Sequence, residues 1–179
     1  ASRAIKKEES DACAAKGIEF IELKIGIDGL SVLTSAENTA VECLSFVDLY
    51  ALLGPESQGF DNWSRASALA KELGSNTTFP NAPLRITAPG EESGTYDSFV
   101  ELAIAGTATK RSKEDATRPD YSAQSDDNLI NQGIEGSDSS LGWVGFAFAE
   151  EAGDEVTEIA VAKDVNGECV EPTQETIAS

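Results

Sequence analysis

The residues best suited to chemistry form one short stretch, Ser93-Gly94-Thr95, in which a glycine lies between two hydroxyl side chains. The turn residues Pro89 and Gly90 come just before it, and a helical apolar pattern follows it. Backbone N–H groups in the first turn of a helix have no partner within the helix, and the helix dipole adds partial positive charge there. Glycine allows a ligand to approach this backbone closely, and hydroxyl groups add donors. The stretch therefore predicts a site for a tetrahedral oxyanion at the start of a helix.

The same stretch has a simpler interpretation, because a serine before a helix is most often only its N-cap. Other conspicuous residues also have a structural role as their first interpretation. We expect Trp63 and Trp143 to pack in the core. Asp126 and Asp127 are predicted to cap a helix, because two adjacent carboxylates do not make a calcium loop.

Histidine is absent from the 179 residues, which removes the commonest general base and metal ligand. Serine–histidine–aspartate catalysis and most zinc sites are thereby excluded. The three cysteines, Cys13, Cys43 and Cys169, have no metal-binding spacing. In a secreted protein we favour a disulfide between Cys13 and Cys43, which both lie near the front of the chain at predicted helix ends. Three buried thiols in a reducing compartment are the alternative.

The charge balance is strongly acidic, with 32 Asp and Glu residues against 13 Lys and Arg residues and a net charge of −19. A nucleic-acid-binding protein normally presents a basic face, so this class of partner is excluded. The composition, with 40% hydrophobic and 25% charged residues, is that of a globular protein. The absence of Met indicates that the chain is a processed or excised piece.

The elements that must position these residues alternate between helical and strand patterns, which predicts the α/β class. We predict strands within residues 20–34, interrupted at Asp28-Gly29, and at residues 84–88, 141–147 and 156–163. We predict helices that end at Gly17 and that cover residues 44–53, 64–73, 93–105, 125–133 and 172–178. Residues 107–124 read as a charged loop, and Asn166-Gly167 as a hairpin-type turn.

A series of short motifs, in a fixed order, resembles the phosphate-binding proteins of phosphate ABC transporters. The motifs are Ala-Ser-Arg at residues 1–3, and the residues 26–30, 43–45, 62–63, 93–99, 118–121, 125–128, 133–134, 142–147 and 171–177. The resemblance covers nearly the whole chain, and its specificity comes from the order of the motifs.

The resemblance implies a fold with two α/β lobes that close around the ligand, in the manner of type II periplasmic binding proteins. Residues 1–22 would be the end of lobe one, comprising a strand and a helix. Residues 23–179 would be lobe two, an inserted domain with a mixed sheet flanked by helices. This piece would then hold only half of the ligand pocket.

The resemblance also implies the ligand contacts. Ser93, Gly94 and Thr95 match the family's phosphate-binding Ser-Gly-Thr, and Ser2 lies where lobe one lines the cleft. Arg3 stands where some family members have an aspartate that accepts the ligand's proton, and it could make a forked contact with phosphate.

Two further residues are candidate ligand contacts. Asp97 is a candidate for the proton-accepting role, or else an ordinary acid of a helix first turn. The family's arginine before Ser-Gly-Thr is missing, and Arg118 is its candidate replacement, or else part of a structural ion pair with Asp120. Arg85 is another cation, but it lies further back along its strand.

The expected function is high-affinity binding of inorganic phosphate for uptake by the membrane permease of an ABC transporter. The resemblance implies a monomer that is no enzyme and has no cofactor or metal, located in the periplasm or at the cell surface as a secreted or lipid-anchored protein. The alternatives are a receptor for another oxyanion and a secreted adhesion or sensing protein on the same fold. A hydrolase or phosphatase is disfavoured because the chain lacks histidine and a metal cluster.

Overall fold

The computed structural model describes residues 4–178, in which eight α-helices surround a six-stranded sheet. The strands are β1 (Leu30–Ser35), β2 (Cys43–Ser45), β3 (Arg85–Pro89), β4 (Ser122–Gln124), β5 (Ser140–Gly145) and β6 (Val156–Ala162). The helices are α1 (Lys7–Ala15), α2 (Phe46–Leu53), α3 (Ser67–Glu72), α4 (Gly94–Phe99), α5 (Ala105–Lys110), α6 (Asp127–Glu135), α7 (Phe146–Ala152) and α8 (Gln174–Ala178). Within these residues, no helix has both the length and the apolar character needed to cross a membrane.

The sheet is mixed, with the strand order β2-β6-β1-β5-β3-β4. Strand β1 runs antiparallel to both of its neighbours, β5 and β6, whereas β3 runs parallel to β4 and to β5. Because β3 and β4 are parallel, the chain returns between them through a long helical connection. The predicted class, an α/β lobe with a mixed sheet flanked by helices, is confirmed.

Both faces of the sheet are covered, because successive side chains of a strand point to opposite faces. In β1, Val32 packs in the larger hydrophobic core and Leu33 in the smaller one, and Trp143 and Val144 of β5 divide in the same way. The larger core includes residues of α2 and α4, and the smaller core includes residues of α6 and α7. The alternation of the sequence therefore fixes which helices cover each face.

Close packing around Thr87 of β3 depends on two glycines. A Cβ atom at Gly142 would lie 2.1 Å from the Thr87 carbonyl oxygen, and one at Gly133 would lie 2.6 Å from its Oγ1. Strand β5 and helix α6 therefore approach β3 more closely than any larger residue would allow. This packing fixes the position of β3, whose two ends carry the sites described below.

The N-terminal residues of the described part extend away from this core. Helix α1 has no buried residue, and residues 16–29 form no strand. The strand prediction for residues 20–27 is therefore wrong for this chain, because no neighbouring strand of the described residues is available to pair with them. The alternating apolar side chains of this segment remain exposed, by 87% for Ile21 and 98% for Ile25.

The disulfide prediction is also wrong. Cys43 is bonded to Cys169, across 126 residues of sequence, and Cys13 on the exposed helix α1 is a free thiol. Cys43 begins β2, which pairs with β6, and Val170 makes an isolated bridge to Val161 of β6, so Cys43 and Cys169 both lie near that one strand. Proximity in three dimensions, which the sequence separation conceals, decided this pairing.

The predicted helices all occur, with shifted ends, and the predicted strands from residue 84 onward also occur. The sequence patterns missed β2, β4 and α7, and the loop prediction for residues 107–124 is wrong for residues 107–110, which belong to α5. Each of the two strands has only three residues and therefore no readable alternation. Helix α7 begins with aromatic residues that are typical of strands, which is why the predicted strand at residues 141–147 overlaps its start.

Candidate anion-binding groove

A small groove opens where the chain leaves strand β3 and enters helix α4. It has a volume of about 180 Å³. Its lining residues are Asp28, Gly29, Leu30, Gly94, Thr95, Ser98 and Leu102. Two members of the predicted Ser-Gly-Thr stretch therefore face an open groove and are not packed in the core.

The local sequence explains this placement. Strand β3 ends at Pro89, and the turn that follows is closed by the Ser93 backbone N–H, which donates to the Gly90 carbonyl oxygen at 3.0 Å. Ser93 has extended backbone angles, and its side-chain oxygen accepts a hydrogen bond from the Thr95 N–H at 3.1 Å. Ser93 is therefore the N-cap of α4, which was the simpler of the two interpretations.

Capping by Ser93 leaves other first-turn amides unused. The first hydrogen bond within the helix runs from the Asp97 N–H to the Ser93 carbonyl oxygen, at 3.2 Å. The N–H groups of Gly94 and Tyr96 precede it and have no acceptor within α4. The helical path continues from α4 through a π-helical segment, Val100–Ile104, into α5. Aligned peptide dipoles of this run add partial positive charge at its start, beside the groove.

The acidic residue that lines the groove is Asp28, and not Asp97. Asp97 is exposed and is absent from the lining, where Ser98 takes the corresponding place. Asp28 lines the same groove as Thr95, and one of its carboxylate oxygens accepts the Gly29 N–H at 2.9 Å. Sequence reasoning missed Asp28 as a candidate, although the Asp-Gly pair between two apolar segments marked a turn there.

Arg118 does not join the groove. It lines a separate cleft together with Leu84 and Arg85, at the start of β3, whereas the groove follows the end of that strand. Its Nε and Nη2 atoms each donate to a carboxylate oxygen of Asp120 at 2.7 Å. The guanidinium holds the pKa of Asp120 below its usual range, mainly through these hydrogen bonds. Arg118 therefore forms the structural ion pair and does not line the groove, and its role as a ligand contact stays a prediction.

The remaining predicted residues divide in two groups. Ser2 and Arg3 lie outside the described residues 4–178. Trp63 and Trp143 are fully buried, and Trp143 stacks on Phe99 with ring centroids 4.1 Å apart, so their assignment to the core is confirmed. Asp126 caps α6 by accepting the Asn128 N–H at 2.9 Å, as predicted.

Comparisons with known proteins agree with this architecture. No family model matches the chain. The chain is 34% identical over 178 residues to Protein SphX of Synechococcus elongatus, with 99% of this chain and 47% of that protein covered. It is 30% identical over 177 residues to the phosphate-binding protein PstS of Staphylococcus haemolyticus, with 99% of this chain and 49% of that protein covered.

Solved structures agree as well. A possible phosphate binding protein from Planctomyces limnophilus superposes with a TM-score of 0.73 at 32% identity, covering 98% of this chain and 56% of that one. A candidate phosphate ABC transporter substrate-binding protein from Clostridium perfringens, solved with bound phosphate, superposes with a TM-score of 0.62 at 25% identity, covering 99% of this chain and 58% of that one.

The fold is that of a lobe of a periplasmic-binding-protein-like receptor. Within that class, the chain is a relative of the phosphate-binding protein PstS and of Protein SphX, as its motifs predicted. It spans about half the length of the curated relatives it matches.

Proposed function

We propose that this protein binds inorganic phosphate and delivers it to the membrane permease of an ABC transporter, from the periplasm or the cell surface. The observation that carries the proposal is the groove at the start of α4, where Gly94 and Thr95 face solvent beside unpaired first-turn amides. Among the relatives, the PstS protein of Staphylococcus haemolyticus is named a phosphate-binding protein and the Clostridium perfringens protein was solved with bound phosphate, which supports binding over catalysis as the role of this groove.

We also propose the domain division that the motifs suggested, with residues 1–22 at the end of lobe one and residues 23–179 in lobe two. The support comes from the exposed apolar side chains of the segment that joins them, which include Ile21, Leu23, Ile25 and Ile27. They recur at every second position, which is typical of a strand with one face to bury. A second lobe packed on this segment would remove that face from water, and Ser2 and Arg3 stay predicted ligand contacts of lobe one.

In this proposal each groove residue has a defined role. The N–H groups of Gly94 and Tyr96 and the hydroxyl groups of Ser93 and Thr95 would donate to the phosphate oxygens. Asp28, a lining residue of the groove, would accept the proton of hydrogen phosphate. Sulfate is fully deprotonated at neutral pH and would be repelled by the same carboxylate. We assign this role to Asp28 because Asp97 lies outside the lining of the groove.

Calorimetric titration of the full-length protein with phosphate, in competition with sulfate, molybdate and arsenate, tests the proposal. We expect a dissociation constant for phosphate in the micromolar range or below, and weak competition by sulfate. Asp28→Asn should allow sulfate to compete better, whereas Asp97→Asn should leave the preference unchanged. Absence of phosphate binding, or turnover of a chromogenic phosphate ester, would reject a binding role. A higher affinity for another oxyanion would identify a different receptor on the same fold.

A further inference from the structure

A second, larger cleft lies at the opposite end of β3 from the groove. It has a volume of about 540 Å³, which is within the range of small-molecule sites. Leu84, Arg85 and Ile86 line one part of it, Arg118, Tyr121 and Ser122 another, and Gly136 and Ser137 close it after α6. Two of the five arginines of this acidic chain therefore meet in one place.

Arg118 is buried there with a hydrogen-bonding atom unused. Only 3% of the residue is exposed, and its Nη1 atom has no hydrogen-bond partner within residues 4–178. A buried donor that has lost its water and gained no partner typically costs about 1–3 kcal/mol, so such atoms require an explanation. The ion pair with Asp120 uses only Nε and Nη2, which leaves the Nη1 side of the fork free.

The charges that face the cleft leave a positive excess. Asp120 is its one carboxylate among the lining residues, and it is occupied by Arg118 and by the Gly59 N–H, which donates at 2.8 Å. Arg85 is exposed and forms no ion pair with any described residue. The Tyr121 hydroxyl is occupied, since it donates to the Pro89 carbonyl oxygen at 2.6 Å. Two cations against one paired anion make this a positive spot on a protein with a net charge of −19.

We propose that this cleft is a second anion site, which binds a small organic molecule through a carboxylate or phosphoryl group. The anionic group would accept from Nη1 of Arg118 and from the guanidinium of Arg85, with the hydroxyl groups of Ser122 and Ser137 as further donors. The side chains of Leu84 and Ile86 would contact the apolar part of the ligand. Because Nη1 is shielded from solvent, binding requires a small adjustment of the side chains around it.

Titration of the ¹⁵N-labelled protein with malonate, followed by NMR, tests this proposal. We expect malonate to shift the Nε–H signal of Arg118 and the amide signals of Ser122 and Gly136. Neutral malonamide should shift none of them. A parallel titration with inorganic phosphate distinguishes a carboxylate site from a phosphoryl site, since the preferred group binds at lower concentration.

The decisive comparison is between a substitution of an arginine that lines the cleft and a substitution of a lysine outside it. Arg85→Ala, at an exposed residue, should weaken malonate binding by about 10-fold or more, as expected for a lost charged hydrogen bond. Lys163→Ala removes the same charge beyond β6, far along the sheet from β3, and should change the affinity by less than about 2-fold.

Three results would overturn the proposal. These are equal affinity of Arg85→Ala and the unchanged protein, equal shifts with malonamide, and shifts confined to the amides of Gly94 and Thr95. The last result would locate the anion in the groove beside α4 instead. Because the cleft and the groove share no lining residue, failure of this proposal leaves the phosphate proposal untouched, and the reverse also holds.

Discussion

The two ends of strand β3 present two ways to attract an anion. At the end of β3, the groove offers backbone amides and hydroxyl groups of residues 93–96, without a formal positive charge. At its start, the cleft offers the guanidinium groups of Arg85 and Arg118. The amides are present in any helix that begins at this point, whereas a buried guanidinium must be compensated by the protein around it.

The two ends of β3 also differ in how many hydrogen bonds to the rest of the fold hold them. Arg118 is held by Asp120 through two hydrogen bonds, and its backbone N–H donates to the Leu53 carbonyl oxygen at 2.8 Å, at the end of α2. Ser93 is held by one turn and by its own cap. We therefore expect changes at the start of β3 to act mainly on stability, and changes at its end to act mainly on ligand binding.

The largest effect is expected for Arg118→Ala. The variant loses the packing of a buried side chain, which typically costs about 2–5 kcal/mol, together with both hydrogen bonds to Asp120. Urea denaturation monitored by tryptophan fluorescence measures this loss in the free energy of unfolding. Arg118→Lys keeps the positive charge but loses the two parallel hydrogen bonds of the guanidinium. Its free energy of unfolding should therefore lie between those of the unchanged protein and of Arg118→Ala. A loss below about 1 kcal/mol for the alanine variant would show that this end of β3 does not depend on the pair.

Asp120→Asn should cost less, about 1–2 kcal/mol at pH 7, because Asp120 is 34% exposed. The pKa of Asp120 is lowered in the folded protein, so its contribution to stability is complete above the usual aspartate pKa and disappears as the pH falls through the lowered value. The variant and the unchanged protein should therefore converge in acid. Asp97→Asn, at the exposed acid of α4, is the matched control and should give a smaller difference at every pH.

Thr95→Ala acts at the other end of β3, and we expect it to weaken phosphate binding about 10-fold, equivalent to about 1.4 kcal/mol. The unfolding midpoint should change little, because the Thr95 side chain lines the groove and not the core. Thr78→Ala, at an exposed threonine outside both sites, is the control for calorimetry. Equal affinities for the three proteins would remove Thr95 from the site.

The smallest of these four main effects is expected for Ser93→Ala, and it concerns folding. Loss of an N-cap side chain costs about 1 kcal/mol, whereas Ser93→Gly should cost only a few tenths. Thermal unfolding of the three proteins distinguishes these values. If the alanine and glycine variants were equally destabilised by several kcal/mol, the start of α4 would contribute as much to stability as the start of β3, and the contrast between the two ends would be wrong.

The sequence predicted the long elements correctly because each repeats its pattern several times. It could not predict the three-residue strands β2 and β4, which are too short for a pattern and depend on neighbours supplied by other parts of the chain. Residues 20–27 show the reverse case, since a clear strand pattern forms no strand where no partner strand lies beside it.

Of the candidate groove, the sequence alone determined the part that is local. Gly94 and Thr95 follow a turn and begin a helix, and a helix start exposes free amides whatever surrounds it. Only the tertiary structure decided the rest: that Asp28 lines the same groove as Thr95, that Arg118 belongs to the other end of β3, and that Cys43 bonds to Cys169. The physical reason is that hydrogen bonds along a helix join residues close in sequence, whereas these contacts join distant residues that only the packing of the sheet brings together.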